Sequence, residues 1–348
     1  MNAAYVLPLR WSEPGPLAEL SRYLRWLAGE VTEVLVIDGS PDHLFAEHSL
    51  AFGSDVRHCR PDPDLDFPMG KVNGVVTGLR ACSCERVVIA DDDVRYDGQT
   101  LRRTLEMLTG ADLVRPQNYF DELPWHARWD SARSLLNRVF TGDPGFPVGD
   151  FPGTLALRRS TFLRAGAYDG EALFENLELM RTIRAAGGSV LTPLDLYVAR
   201  RPPGSAHFRS QRVRQAYDDF AIPLRIGGFL AIGPLTGYLA LRRRWWTLGA
   251  AVLASIGAAE AGRRRAGATA RFPPSGSLLA PAWLAERAVC SWLAVGARLR
   301  GGVRYGGGRL RLAAHRQRAL RRRYSESGSG GPTGPGEASL SDRNPIVL

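Results

Sequence analysis

The chain has 348 residues, is 45% hydrophobic, and carries a formal charge of +10 from 45 Lys+Arg against 35 Asp+Glu. That length can bury a full α/β core with room for an appendage, and that hydrophobic content excludes a disordered protein. The basic excess falls mostly after Arg200, which points to an anionic surface, phospholipid or nucleic acid, as a partner of the C-terminal part.

In chain order, residues 4–9 (Ala-Tyr-Val-Leu-Pro-Leu) read as a first strand, and 17–28 as a helix with Leu17, Leu20, Leu24 and Leu27 on one face. Residues 34–37 form a continuous apolar strand that runs into the turn Asp38-Gly39-Ser40-Pro41. A short strand is expected over 56–59, a helix over 71–82, a strand over 87–90, a helix over 101–108 and a strand over 111–115. Strands alternating with helices imply an α/β fold with a mostly parallel sheet covered on both faces. No G-x-G-x-x-G turn is present, which argues against a dinucleotide-binding domain.

Residues 119–152 interleave Tyr119, Phe120, Trp125, Trp129, Phe140, Phe146 and Phe151 with Pro and Gly, and are expected to be a long irregular segment over the sheet edge. A strand resumes at 154–157, and a helix over 173–186 is closed by Gly187-Gly188.

Asp91-Asp92-Asp93 closes the apolar run Val87-Val88-Ile89-Ala90. Carboxylates at the carboxyl end of a strand stand where open α/β sheets bind ligands. Their oxygens suit a hard divalent cation, Mg²⁺ or Mn²⁺, shared with phosphates; the alternative is a solvated acidic turn. Lys71 is the only lysine. Cys59, Cys82, Cys84 and Cys290 show no zinc spacing and read as reduced thiols. Met1 runs almost directly into a strand without a signal segment, so a cytoplasmic catalytic part is expected.

The arrangement over residues 4–220 resembles family-2 glycosyltransferases of the GT-A fold, particularly ceramide glucosyltransferase-like and other membrane-bound members. Val36-Ile37-Asp38-Gly39-Ser40 resembles the first acidic turn, Gly70-Lys71-Val72-Asn73-Gly74 the lysine-containing helix start, and Asp91-Asp92-Asp93-Val94-Arg95 the Asp-x-Asp turn. Gln211-Arg212-Val213-Arg214-Gln215 is similar to Q-x-x-R-W, with Gln215 where tryptophan is usual.

The resemblance implies an inverting, metal-dependent transferase using a nucleotide-sugar donor. Asp93 would ligate the metal, and Asp91 would reach the metal or the ribose. Asp38 would accept from the base. Asp92 belongs with them on the donor side. Lys71 would reach a phosphate or stand as a surface lysine at a helix start. Arg214 would face the leaving diphosphate or help shape the acceptor pocket, and Gln211 of the same motif would join it as a catalytic residue. The family's base lies in a Glu-Asp pair; here Glu175 is followed by Asn176, which cannot take a proton, so Glu175 is expected to be the base ahead of Glu178. His207 reads as a loop residue or an added metal ligand. Trp125, His126 and Trp129 read as an acceptor wall or as core.

After Arg225 the chain becomes apolar at 226–241, 245–259 and 278–299, with Arg242-Arg243-Arg244 and Trp245-Trp246 between the first two. Membrane-associated helices on an anionic surface are expected, the alternative being a buried hairpin. The expected division is 1–222 catalytic, 223–323 membrane-associated and 324–348 a disordered tail. The acceptor would be a lipid or membrane-linked molecule, and the location the cell membrane with the catalytic domain on the cytoplasmic side. The competing classes are a nucleotidyltransferase, for which a Gly-rich phosphate loop is missing, and a non-catalytic membrane or nucleic-acid binder. Arginines after Arg300 lack interleaved aromatics apart from Tyr305 and Tyr324, so no nucleic acid is expected.

Overall fold

The computed structural model describes residues 1–141, 153–166, 168–306 and 308–328. The first part alternates as β1 (Ala4–Leu9), α1 (Leu17–Glu30), β2 (Glu33–Asp38), α2 (Asp42–Phe52), β3 (Arg57–Cys59), α3 (Gly70–Ala81) and β4 (Arg86–Ala90). Side chains alternate across a strand, so Ala4 and Val6 pack with Val72, Val75, Val76 and Leu79 of α3, whereas Tyr5, Leu7 and Leu9 pack with Leu20, Leu24 and Leu27 of α1. Strands buried on both faces explain the continuous apolar runs. Helix α3 can lie this close because of its glycines: a Cβ at Gly78 would stand 2.3 Å from Val6 Cγ1.

The chain continues through β5 (Val94–Arg95), α4 (Gly98–Met107), β6 (Leu113–Val114), β7 (Gln117–Phe120) and α5 (Trp125–Phe140). Helix α4 begins before its apolar stripe because the Asp97 carboxylate accepts from Thr100 N at 2.7 Å, a cap. Helix α5 corrects the irregular reading of 119–152. Its Pro, Trp and Phe content hid a helix whose Ala132 and Leu135 pack on Ala259, Phe272 and Trp283 far along the chain. Phe146 and Phe151 lie outside the described residues.

Next come β8 (Thr154–Arg158), α6 (Arg159–Ala165), α7 (Glu175–Ala185), β9 (Val190–Leu191), β10 (Tyr197–Arg200) and α8 (Ser205–Tyr217). Strand order in the main sheet is β3-β2-β1-β4-β8-β6-β9. The β1–β2, β1–β4, β2–β3 and β6–β9 pairs are parallel, and β8 runs antiparallel to β4 and β6. The fold class is α/β with a mostly parallel sheet flanked by helices. A smaller sheet, β5-β10-β7, stands at the carboxyl end of β4 and pairs Arg200 with Val94.

The remainder holds α9 (Pro223–Leu241), α10 (Trp245–Arg264), α11 (Pro274–Leu278), α12 (Ala280–Leu299), a hairpin of β11 (Val303–Tyr305) and β12 (Gly308–Leu310), and α13 (Gln317–Gly328). These elements share the body's core, since Cys290, Ala294, Leu310, Ala313 and Ala314 pack with α3 and α7. Helix α9 is long and apolar enough to cross a membrane, with only 6% of its apolar window buried. The expected disordered tail from 324 is corrected at its start, where residues 324–328 complete α13 and the Tyr324 hydroxyl donates to Ala165 O at 2.5 Å. Residues beyond 328 lie outside the described ones.

Candidate active site

The site forms where β4 ends. A tight turn there, closed by Val94 N donating to Asp91 O at 3.1 Å, fans out the carboxylates of Asp91, Asp92 and Asp93. Gly153, opposite, gives its carbonyl to Asp91 N at 2.8 Å. A Cβ at Gly153 would stand 2.4 Å from Asp91 Oδ2, so only glycine leaves that carboxylate its place.

Each carboxylate has its own partner. Asp91 Oδ1 lies 2.6 Å from Lys71 Nζ. Asp92 Oδ2 accepts from Trp11 Nε1 at 2.5 Å. Asp93 Oδ2 accepts from Arg200 Nε at 2.7 Å, while the buried Asp93 Oδ1 accepts no hydrogen bond among the described residues. Lys71 also donates to Glu175 Oε1 at 2.8 Å, so one ammonium at the start of α3 joins the metal-type turn to the start of α7. Burial opposes the charge on Lys71, but Asp91 and Glu175 outweigh it and hold the ammonium well above its usual range. Burial pushes the Asp93 carboxyl above the usual range against the pull of Arg200.

These groups line one cleft of about 390 Å³ together with Arg10, His207, Gln211, Arg214, Asp218 and Tyr305. Arg214 donates to Gln211 Oε1 at 2.9 Å, and its guanidinium lies 5.1 Å from the Tyr305 ring centroid. The Asp218 carboxyl, pushed up to about 7 by burial against the neighbouring Arg214, lines the same wall. Its Oδ1 accepts no hydrogen bond among the described residues. Burial, with the nearby Arg214 and Arg200, lowers the His207 pKa. Beneath the cleft, Arg212 is held by Asp130 Oδ1 at 2.9 Å and by Glu286, and also donates to Gln215 Oε1 at 2.9 Å.

The sequence-nominated residues Lys71, Asp91, Asp92, Asp93, Glu175, Gln211 and Arg214 thus stand on one cleft. Asp38 does not. It is fully buried at the end of β2, with Ser40 N donating to Oδ1 at 2.8 Å and Oδ2 held by His48 and His58. Burial works against its charge, yet hydrogen bonds from His58, Ser40 and His48 hold its carboxyl well below the usual range. Glu178 is also removed from the cleft. It is fully buried and takes His315 N at 2.7 Å and His315 Nδ1 at 2.9 Å, pinning the segment that carries the β11–β12 hairpin. Trp125 is exposed, His126 gives Nε2 to Pro203 O at 2.7 Å and Trp129 donates to Glu286, so none of the three lines the cleft.

Arg200, Asp218 and Tyr305 were not anticipated. Arg200 had a faint signal, a cation ending the strand-like Tyr197-Val198-Ala199 run. Asp218 stands just after the Q-x-x-R segment. Tyr305 arrives through the long return of the C-terminal hairpin.

The donor set fits a hard divalent cation. Asp91 and Asp93 offer carboxylate oxygens, and Asp93 Oδ1 is a buried acceptor with an unused lone pair. Lys71 and Arg200 are the cations such an ion would share these oxygens with.

No protein-family model matches the chain, and no curated protein matches it. Among solved structures it is similar to a mannosyltransferase from Pyrobaculum calidifontis in complex with GDP-Man and Mn²⁺, at 19% identity, covering 84% of this chain and 87% of that one, TM-score 0.47. It is also similar to glucosyl-3-phosphoglycerate synthase from Mycobacterium tuberculosis in complex with Mn²⁺, UDP and phosphoglyceric acid, at 18% identity, covering 60% and 73%, TM-score 0.40.

Proposed function

We propose that the protein is an inverting GT-A glycosyltransferase of the family-2 type that moves a sugar from a nucleotide-sugar donor to a lipid or membrane-linked acceptor. The observation that carries this reading is the convergence of Asp91, Asp93, Lys71, Glu175 and Arg214 on one cleft, with Asp93 Oδ1 unpartnered there.

Asp91 and Asp93 would hold Mg²⁺ or Mn²⁺, which supplies charge neutralisation to the leaving diphosphate. Lys71 and Arg214 add fixed positive charge on two sides of the cleft, and Arg200 holds the Asp93 carboxylate in place. Glu175 receives the proton of the acceptor hydroxyl through the carboxylate oxygen that Lys71 leaves free, and the Lys71 ion pair fixes its direction. Asp92, tied to Trp11, sets the turn's shape on the donor side. Asp38 is fully buried away from the cleft, which leaves base recognition to other residues.

The membrane reading rests on α9 and α10. Leu235, Tyr238, Leu241, Trp245, Trp246 and Leu253 are exposed on this apolar helix pair, and Arg242, Arg243 and Arg244 stand at the turn beside the two tryptophans. Aromatic and arginine side chains in that arrangement suit an anionic headgroup layer. We place the protein on the cell membrane with its cleft on the cytoplasmic side.

Thermal unfolding of the detergent-purified protein with a panel of UDP- and GDP-sugars tests the donor assignment. One donor class should raise Tm with Mn²⁺ and not with chelator. No metal-dependent shift across the panel rejects it.

A further inference from the structure

Asp38, His48 and His58 come from three consecutive elements. Asp38 ends β2, His48 lies on α2, and His58 lies in β3 across from Val36. Asp38 Oδ2 stands 2.7 Å from His48 Nδ1 and 3.0 Å from His58 Nε2, and all three ligand atoms fall within 4.8 Å of one another. Among the described residues this is the cluster of three such donors that could hold an ion.

We infer that Asp38, His48 and His58 form a second metal site, separate from the Asp91–Asp93 turn, that takes a divalent ion with imidazole preference such as Zn²⁺.

Three observations support it. First, two imidazole nitrogens and one carboxylate oxygen are a zinc-type donor set, unlike the all-oxygen set of Asp91 and Asp93. Second, two of the three atoms that would not bind are already occupied. Ser40 N holds Asp38 Oδ1 at 2.8 Å, and Ser49 Oγ holds His58 Nδ1 at 2.8 Å. Outer bonds of this kind fix ligand direction and tautomer around metals. Third, Asp38 and His48 are buried, and no Lys or Arg pairs with the Asp38 carboxylate among the described residues. The Arg60 guanidinium is spent on the carbonyls of Asp38 and Ser40 and on Asp42. Buried carboxylates are paired with cations or coordinate metals, and here only imidazoles face the charge.

Bonds of about 2.0–2.1 Å put the corners of a tetrahedron about 3.3 Å apart. The 2.7 and 3.0 Å contacts therefore open by about 0.6 and 0.3 Å to take the ion, the imidazole nitrogens stand within 4.8 Å of each other, and the fourth corner is left for water. The ion would add a cross-link to the fold. It would tie β2, α2 and β3 together, and the His48 ring lies 5.0 Å from the Trp11 ring whose Nε1 holds Asp92. The site thereby braces the wall beside the acidic turn, and the inference does not depend on the transferase reading.

The test uses the full chain, stripped with chelator and then given excess Mg²⁺ to fill the oxygen site. One equivalent of Co²⁺ should produce the intense visible bands of a tetrahedral imidazole complex, and Zn²⁺ should bleach them at a one-to-one ratio. Asp93→Asn, His207→Asn and His315→Asn should keep the bands, and His58→Asn should weaken binding at least about tenfold. X-ray absorption of the Zn²⁺-loaded wild type should count two imidazoles, which needs no variant to fold. A weak octahedral spectrum, fewer than two imidazoles, or bands that survive in a folded His58→Asn variant overturns the site and leaves His48 and His58 as hydrogen-bond donors to a buried carboxylate.

Discussion

Lys71 Nζ lies 2.8 Å from Glu175 Oε1, across 104 residues of chain. The same ammonium is 2.6 Å from Asp91 Oδ1, so one cation holds the first helix turn of α7 against the acidic turn. Lys71→Met should free both carboxylates. Turnover should fall about a hundredfold, while Mn²⁺ affinity rises severalfold because no ammonium competes for Asp91. Titration of Mn²⁺ into wild type and variant checks this, and unchanged or weaker binding in a folded variant removes Lys71 from the cation balance.

Asp93 is held by Arg200 and keeps one oxygen unused. Asp93→Asn preserves shape but removes the charge. Metal-dependent donor binding should be lost, with Tm in the absence of metal changing by only a few degrees. Calorimetry with Mn²⁺ and the responding donor measures both, and full donor affinity in the variant contradicts a metal at this turn.

Glu175→Gln should cost about 10²–10⁴ in turnover, the usual range for a general base, with donor affinity nearly unchanged. Asp218, in the same cleft, provides the control. Its carboxyl loses its proton near pH 7, so if it were the acceptor, activity would rise through that pH and Asp218→Asn would erase the rise. We expect Asp218→Asn to retain the wild-type pH limb. Glu178→Gln should affect stability rather than turnover, because its oxygens are committed to His315.

The Glu178–His315 contact sets a pH-dependent stability. The hydrogen bond from His315 to Glu178 raises the His315 pKa, and Glu178 and Asp169 add to it. A raised folded pKa contributes stability that is fully present below the unfolded value of about 6.5 and is lost as pH rises through the folded value. Wild type minus His315→Gln should therefore differ by about 1.5–3 kcal/mol near pH 6 and converge toward pH 9. Denaturant unfolding across that range checks the sign, and a gap that widens with pH contradicts it.

Membrane insertion of α9 and α10 predicts that protein bound to vesicles containing anionic lipid stays bound in high salt. Arginine attraction alone, about 1 kcal/mol per side chain near the surface, is screened away. Replacing Trp245 and Trp246 with serine should weaken retention in high salt. Complete release of wild type by salt rejects insertion.

The succession of strands and helices along the first part of the chain and the acidic turn were legible because each is a local pattern: an apolar run, then Asp91-Asp92-Asp93. The antiparallel β8 and the helix α5 were not, because their burial depends on partners distant in sequence. Glu175 and Glu178 were both candidates for the base, with Glu175 ahead. Three residues leave about 60° between side-chain directions, and that rotation delivers Glu178 to His315 instead of the cleft. Asp38 was legible as an acid at a strand end, but His48 and His58, ten and twenty residues on, decide what it touches. Arg200 reaches Asp93 across 107 residues through the β10–β5 pairing, which local spacing cannot reveal.

The most direct measurement is release of nucleoside diphosphate from the donor that stabilises the protein, with Mn²⁺, by wild type and by Asp93→Asn in the presence of membrane lipid extract. Sugar transfer at this cleft predicts release coupled to a glycosylated lipid product in wild type, stopped by chelator and by Asp93→Asn. Equal release by both proteins, or none from any donor with wild type, contradicts it.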